Sequence, residues 1–115
     1  MATLLVVEPI SIIQLRKTGE ELYGDMVKAV VDVEKEVMAV GAELHADEEA
    51  LLIERNSQQE NLWGINLYTD RESAEMIEFD SMINIRPRQN NRSRYVEDEQ
   101  VRKEIIRIVQ KLVKQ

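Results

Sequence analysis

The sequence has no cysteine and only one histidine, His45, in 115 residues. Without cysteine, the chain can form neither a disulfide nor a thiolate metal site, and it has no cysteine nucleophile. The uninterrupted apolar run near its start, Leu4 to Val7, is too short for a signal peptide or a membrane span. The sequence also lacks a phosphate-binding glycine loop, a nucleophile elbow and a dinucleotide fingerprint. We therefore expect a cytoplasmic protein with no membrane association and no cofactor.

The composition is that of a globular protein whose charge is unevenly distributed. Apolar residues make up 43% and charged residues 32% of the chain, which predicts one domain over residues 1–115. Residues 1–85 carry 18 acidic and 6 basic side chains, whereas residues 86–115 carry 4 acidic and 9 basic ones. The net charge of −7 argues against nucleic acid as a partner, because phosphate binding favours a positive surface. The basic segment is compatible with a small anion or an acidic protein surface as a partner.

Two helices are predicted, one near each end of the chain. The first covers about 12–22, where Ser11 has the position of an N-cap, Gln14 completes a capping box and Gly24 suits the residue after the helix. The second begins after Asp98 and carries a broad apolar stripe at helical spacing. A stripe of that width is typical of a helix that covers a sheet face.

Several strands are predicted from short apolar or alternating runs, which lie at 3–7, 50–54, 62–68 and 77–86. The second and third runs flank a polar connection, as in a hairpin with a longer loop. The last run alternates most clearly, with isoleucine and phenylalanine on one side and polar residues on the other. A proline ends it, since proline cannot donate to a strand ladder.

Residues 26–41 fit two structures. Apolar residues recur there at helical spacing, which predicts a helix. The same valines also alternate with polar residues, which predicts two strands joined by a tight turn at 34–36, with the second strand reaching His45. The pattern alone leaves these alternatives even.

The chain also contains the stretches ELHADEEALL at 43–52, LWGINLY at 62–68 and EFDSMINIRPRQNNRS at 78–93. Together these stretches resemble a small prokaryotic domain family of unknown function. Similar sequences tend to have glycine where this chain has Glu36, and glycine there suits a hairpin turn, so the resemblance favours paired strands over 26–45. It implies no activity, substrate or catalytic residue. The predicted fold is α+β, an antiparallel meander of four or five strands with an N-terminal and a C-terminal helix packed on one face.

Two sets of residues are candidates for catalysis. In an extended strand, His45 shares a face with Glu43 and Asp47, and such a triplet could orient a general base. The spacing is not that of a metal site, so we expect no metal, and a structural role for the histidine is the alternative. Glu78 and Asp80 lie two residues apart on a polar strand face, where close carboxylates can split their pKa values and do acid–base chemistry. Their alternative role is to supply the polar face of a half-solvated sheet.

Segment 86–94 is the strongest candidate for binding. It contains four arginines and no acid, and arginine binds carboxylate or phosphate groups in a bidentate manner. The preceding polar residues are poor strand formers, which indicates a role beyond structure. The alternative is that the arginines pair with acids of the chain itself. The predicted binding residues are Arg86, Arg88, Arg92, Arg94, Asn84, Asp80 and Asn66.

These features favour a non-enzymatic cytoplasmic module that recognises an anionic ligand or partner through segment 86–94 and the polar sheet face. The alternative function is a small hydrolase-type enzyme that uses His45 with Asp47, or Glu78 with Asp80, beside an arginine. The broad apolar stripe and the polar sheet face are also compatible with a homodimer.

Overall fold

A computed structural model describes residues 3–115, so the first two residues of the predicted 1–115 domain lie outside the described range. In chain order the elements are β1 (Leu4–Val6), β2 (Ile10–Ser11), α1 (Ile12–Tyr23), β3 (Met26–Asp32), β4 (Val37–Val40), α2 (His45–Glu54), β5 (Leu62–Tyr68), β6 (Ile77–Glu78), α3 (Glu99–Leu112) and β7 (Val113–Lys114). Five strands form an antiparallel sheet in the order β1-β4-β3-β5-β6, and β2 pairs with β7 in a separate parallel ladder. The predicted α+β fold with an antiparallel sheet and helices near both ends is confirmed.

The hairpin of β3 and β4 shows that residues 26–41 form paired strands, and the helical alternative is wrong. The turn between the strands is held by the Asp32 carboxylate, which accepts hydrogen bonds from the backbone N–H groups of Glu34 (2.9 Å) and Lys35 (3.0 Å). Glu36 follows with a left-handed backbone, φ 58°, at the point where a hairpin favours glycine. The β-branched valines on either side complete the preference for extended backbone.

Both predicted helices form with the predicted caps. Ser11 Oγ accepts a hydrogen bond from the Gln14 N–H (3.1 Å), and the Asp98 carboxylate accepts one from the Gln100 N–H (2.8 Å). Gly19 lies where α1 contacts β3, and a Cβ there would come within 3.0 Å of a β3 carbonyl oxygen, so glycine permits the close approach. No helix within residues 3–115 has the length and apolar character needed to cross a bilayer.

Alternating residues of the central strands contribute to two apolar clusters. The larger cluster combines strand residues with α1 and α3 and includes Leu15, Val27, Ala29, Ile65, Leu67, Ile105, Ile108 and Leu112. The smaller cluster joins α2 to the intervening strand residues and contains Val30, Ala39, Leu52 and Leu62. Lys28 and Asn66 alternate with the larger cluster along β3 and β5, so they lie on the same sheet face as the smaller cluster.

Helix α2 replaces the strand predicted for 50–54. Its buried residues are His45, Glu48 and Leu52, whose spacing of three and four residues is that of one helix face. Because two of these three residues are polar, the apolar residues of the segment did not reveal which face is buried. The strand predicted to reach His45 is also wrong in extent, since β4 ends at Val40.

The strand predicted for 77–86 is wrong beyond Glu78, where β6 ends. Ser81 ends the extended backbone, because its Oγ accepts a hydrogen bond from the Ile83 N–H (3.2 Å) and a 3-10 turn follows at 82–84. Ile83 packs against the smaller cluster and does not continue the apolar face predicted from the alternation. The alternation of apolar and polar residues over 77–86 therefore belongs mostly to an irregular segment, which contacts the sheet through its side chains.

Candidate ligand-binding site

Asn84, which is fully buried, ties the irregular segment after β6 to the central strand β5. Its Oδ1 accepts a hydrogen bond from the Gly64 N–H (2.8 Å), and its Nδ2 donates to the carbonyls of Gly64 (3.0 Å) and Arg94 (2.9 Å). The side-chain amide thus satisfies both backbone groups of Gly64, as a neighbouring strand would. A Cβ on Gly64 would lie 2.5 Å from the Ser81 side chain, so this contact requires glycine. The contacts of Asn84 are therefore structural.

Asn91, which is also buried, organises segment 86–94. Its Nδ2 lies 2.7 Å from the Asn84 carbonyl oxygen and 2.6 Å from that of Tyr95, and its Oδ1 accepts a hydrogen bond from the Glu97 N–H (2.8 Å). One side-chain amide therefore connects the turn before the segment to the residues that precede α3. This network takes the place of a regular ladder in holding the backbone.

Arg86 links segment 86–94 to the beginning of β5. Its guanidinium donates hydrogen bonds to the carbonyls of Gln59 and Leu62, and it lies 4.3 Å from the centroid of the Trp63 ring. Burial lowers the pKa of Arg86 from its ordinary value. Its Nε is buried and has no hydrogen-bond partner within residues 3–115, so the contacts of Arg86 are with the two backbone carbonyls and the Trp63 ring.

The other three arginines of the segment are exposed. Arg94 forms an ion pair with Asp80 (Nε to Oδ1, 2.5 Å), and the hydrogen bond to that carboxylate raises the pKa of Arg94. Arg88 and Arg92 form no ion pair within residues 3–115. An external anion can reach them, and the prediction that they bind one stays a prediction.

A cleft of about 500 Å³ lies where α2, the sheet and the segment after β6 meet. Its lining includes a row of side chains across three strands, because Lys28 on β3 is paired with Asn66 on β5, and Asn66 with Glu78 on β6. Residues paired across neighbouring strands point to the same side of a sheet. The first turn of α2 lines the cleft as well, as do residues 80–83 and Arg94.

His45 is the buried first residue of α2 and lines this cleft. Its Nε2 lies 2.8 Å from the Ile65 carbonyl oxygen, which can only accept, so Nε2 carries the proton and Nδ1 is the basic nitrogen of the neutral ring. Burial lowers the pKa of His45 most strongly, and the Lys28 charge lowers it further, against opposing contributions from Ile65 and Asn66. The neutral imidazole is therefore favoured at physiological pH.

Glu78 is positioned in the cleft by two donors. Asn66 Nδ2 donates to its carboxylate at 2.8 Å, and the Tyr68 hydroxyl donates to the same oxygen at 3.2 Å. Asn66 Nδ2 also lies 3.3 Å from the Asp80 carbonyl oxygen. The remaining atom of this amide, Asn66 Oδ1, is buried and has no hydrogen-bond partner within residues 3–115. Such atoms are uncommon in folded proteins, and this one can accept a hydrogen bond from a bound molecule, although the Asn66 side chain also lies close enough to His45 to raise the pKa of its ring.

The cleft brings together five predicted site residues from four separate segments: His45, Asn66, Glu78, Asp80 and Arg94. The other predicted site residues, which are Asp47, Asn84, Arg86, Arg88 and Arg92, do not line it. The predicted strand face shared by His45, Glu43 and Asp47 is wrong, because α2 begins at the histidine. Within residues 3–115 no group of three or more His, Cys, Asp or Glu side chains is arranged to hold a metal ion.

Sequence reasoning missed two charged residues near this site. Lys28 lines the cleft, and its signal is that it interrupts the apolar residues of a central strand. Glu48 is fully buried, although it stands in a row of three acids that is typical of a solvated turn. Its Oε2 accepts a hydrogen bond from the Ala42 N–H (3.0 Å), and burial raises its pKa to about 9. The helical spacing of Glu48 and Leu52 was the available signal for its burial.

Comparison with known proteins identifies a family for this chain and leaves its activity open. No curated protein and no solved structure shows a significant match to it. One family model, whose description is a protein of unknown function, matches residues 4–112. This match confirms the resemblance to a family of unknown function. The chain therefore belongs to the DUF5674 family of proteins of unknown function.

Proposed function

We propose that this protein is a non-enzymatic binding module whose cleft holds a small polar ligand with an anionic group. The observation that carries the proposal is that one cleft of about 500 Å³ collects polar side chains from three strands, from helix α2 and from the segment that follows β6. Small-molecule sites are typically clefts of about 300–1,000 Å³ in which a few polar groups stand among apolar ones. Leu44 and Met82 supply the apolar surface, and they are 54% and 64% exposed.

Three positive features of the cleft support an anionic group on the ligand. Lys28 and Arg94 both line it. The N-terminus of α2 lines it too, and its N-cap residue, Leu44, has no side chain that could bond the free N–H groups of the first turn. The ion pair of Arg94 with Asp80 lies at the surface, where such pairs contribute little, so a ligand anion can share the guanidinium.

The test is a titration of ¹⁵N-labelled protein with phosphate, dicarboxylates and nucleotides at low salt. At least one of these compounds is expected to shift the amide signals of Lys28, Asn66 and the first turn of α2. Arg94→Gln is expected to weaken binding about tenfold, because it removes a charged hydrogen-bond donor. Arg92→Gln is the matched control, since Arg92 is an exposed arginine of the same segment that does not line the cleft.

The two arginine variants show whether the anion binds in the cleft or on the exposed side of segment 86–94 that carries Arg88 and Arg92. Loss of binding in Arg92→Gln, with normal binding in Arg94→Gln, would place the anion on the outer surface and refute the cleft. An acidic protein surface that binds Arg88 and Arg92 would likewise lose affinity for Arg92→Gln and keep its affinity for Arg94→Gln.

A small hydrolase-type enzyme is the second candidate function, and the geometry of His45 favours it. The histidine has a basic Nδ1 and lines the same cleft as Glu78, Asp80 and Arg94. Asp47 does not line the cleft, so the pairing of His45 with Asp47 is not part of this proposal. Turnover of chromogenic esters or phosphoesters that is lost in His45→Gln, while the melting temperature is kept, would establish the enzyme over the binding module.

We also propose that the module acts in the cytoplasm. A chain without cysteine gains nothing from an oxidising compartment, because it has no disulfide to form there. Fractionation of cells that express a tagged chain tests this location, and recovery of the tag outside the cytoplasm would refute it.

A further inference from the structure

The charged side chains of the cleft are balanced in sign but not all paired. Lys28, Arg94, Glu78 and Asp80 line it, which gives two positive and two negative groups. Arg94 and Asp80 form an ion pair with each other at 2.5 Å, so each already has a partner of opposite charge. Lys28 and Glu78 form no ion pair within residues 3–115. The cleft therefore offers a ligand one positive and one negative group that the protein itself does not match.

The fold holds these two charges apart. Lys28 and Glu78 lie on the outer strands of a row of three, with Asn66 between them, so their Cα atoms are about 10 Å apart. The ammonium of Lys28 lies 5.1 Å from the centroid of the Tyr23 ring, and the Tyr23 hydroxyl donates to the Glu43 carbonyl at 2.6 Å. A cation–π contact with a ring that is itself hydrogen-bonded holds the ammonium at its end of the row.

Glu78 is held at the other end of the row. Asn66 and the Tyr68 hydroxyl both donate to one of its oxygens, Oε1, which leaves the second oxygen for another donor. Glu78 also raises the pKa of Arg94, but less strongly than Asp80, which is the residue that forms the ion pair. Asn66 Oδ1 adds a buried acceptor between the two ends of the row.

We propose that the ligand of this cleft is a zwitterion, with a carboxylate that binds Lys28 and an ammonium that binds Glu78. This inference rests on the proposed function, since it names the class of ligand for the same cleft. A ligand with a single charge would match only one of these two groups, whereas a zwitterion matches both. Because the two charges stand at opposite ends of the row, the ammonium and carboxylate of the ligand are several bonds apart, as in an ω-amino acid or a dipeptide.

The test compares 4-aminobutanoate, 6-aminohexanoate and glycylglycine with the singly charged analogues hexanoate and hexylamine, by NMR titration at low salt. At least one zwitterion is expected to bind about fivefold or more tightly than both analogues, as two part-exposed ion pairs would provide. In Glu78→Gln, the zwitterions are expected to bind no more tightly than hexanoate. In Lys28→Gln, they are expected to bind no more tightly than hexylamine. Glu75→Gln, an exposed glutamate that does not line the cleft, is the control and is expected to keep both advantages.

The outcomes separate this inference from the proposed function. If hexanoate and the zwitterions shift the signals around the cleft with equal affinity, the inference of a zwitterionic ligand is refuted and the proposal of an anion-binding cleft stands. Binding of phosphate or dicarboxylates with no response to any zwitterion would do the same. An absence of shifts around the cleft with every compound, phosphate and the dicarboxylates included, would overturn both. Each comparison is the ratio of two affinities measured on the same variant. A change in the stability of that variant affects both affinities and therefore does not produce the expected result.

Discussion

Replacing Glu48 by glutamine is expected to stabilise the protein at neutral and alkaline pH. Glu48 is fully buried, one of its oxygens accepts a hydrogen bond from the Ala42 N–H (3.0 Å), and the other has no partner within residues 3–115. Burial raises the pKa of Glu48 to about 9, although the Ala42 N–H and the Lys28 charge act in the opposite direction. The folded protein therefore keeps this carboxyl protonated at neutral pH, whereas the unfolded chain ionises it.

The size and sign of the effect follow from the protons bound in each state. Between the ordinary pKa of 4.5 and the folded value of about 9, the folded state binds one proton more than the unfolded state. The free energy of unfolding therefore falls with rising pH, by about 1.4 kcal/mol per pH unit. At pH 7.5, Glu48 thus lowers stability by about 4 kcal/mol relative to acidic pH, where both states are protonated. Above pH 9 both states are ionised and the effect of Glu48 is constant.

The measurement is urea unfolding of the wild type and Glu48→Gln from pH 4.5 to 9.5. Glutamine has the same size, can accept the same hydrogen bond and does not titrate, so the difference in unfolding free energy isolates the carboxyl. This difference is expected to be small at pH 4.5 and to reach about 4 kcal/mol at pH 7.5. Glu54→Gln, an exposed residue of the same helix, is the control and is expected to give a flat difference. A flat difference for Glu48→Gln as well would refute the reasoning.

Two further predictions concern the contact between β5 and the segment after β6. Asn84→Ala removes two buried hydrogen bonds and one part-buried hydrogen bond and leaves both backbone groups of Gly64 without partners, so it is expected to lower the unfolding free energy by about 3 kcal/mol. A loss below about 1 kcal/mol in urea unfolding would show that water replaces the amide. Gly64→Ala places a Cβ 2.5 Å from the Ser81 side chain and is expected to cost about 1–3 kcal/mol, with part of the loss recovered in the double variant with Ser81→Gly. If thermal unfolding shows no recovery, the clash is with another group.

The elements that could be predicted from the sequence are those whose signals are local. The caps at Ser11 and Asp98 were visible because the capping side chain and the N–H group that it accepts from are at most three residues apart. The hairpin turn at Glu36 was ambiguous because the valines around it fit both periods, and a comparison with similar sequences was needed to favour strands. Helix α2 was missed because His45 and Glu48 occupy buried positions that normally hold apolar residues.

The segment from Glu78 to Arg94 could not be predicted because its backbone is satisfied by side chains from distant positions. Asn84 pairs with Gly64, twenty residues earlier, and nothing around either residue indicates the other. Propensity identified Asp80 and Asn84 correctly as poor strand formers, since β6 ends at Glu78, whereas Asn66 lies within β5 despite its low propensity. Asn66 and Asn84 are both buried, and they differ in their hydrogen-bond partners, which the sequence does not show. The Asn84 amide bonds to backbone partners, whereas Asn66 keeps a buried acceptor in the cleft, beside the Glu78 carboxylate, which forms no ion pair within residues 3–115.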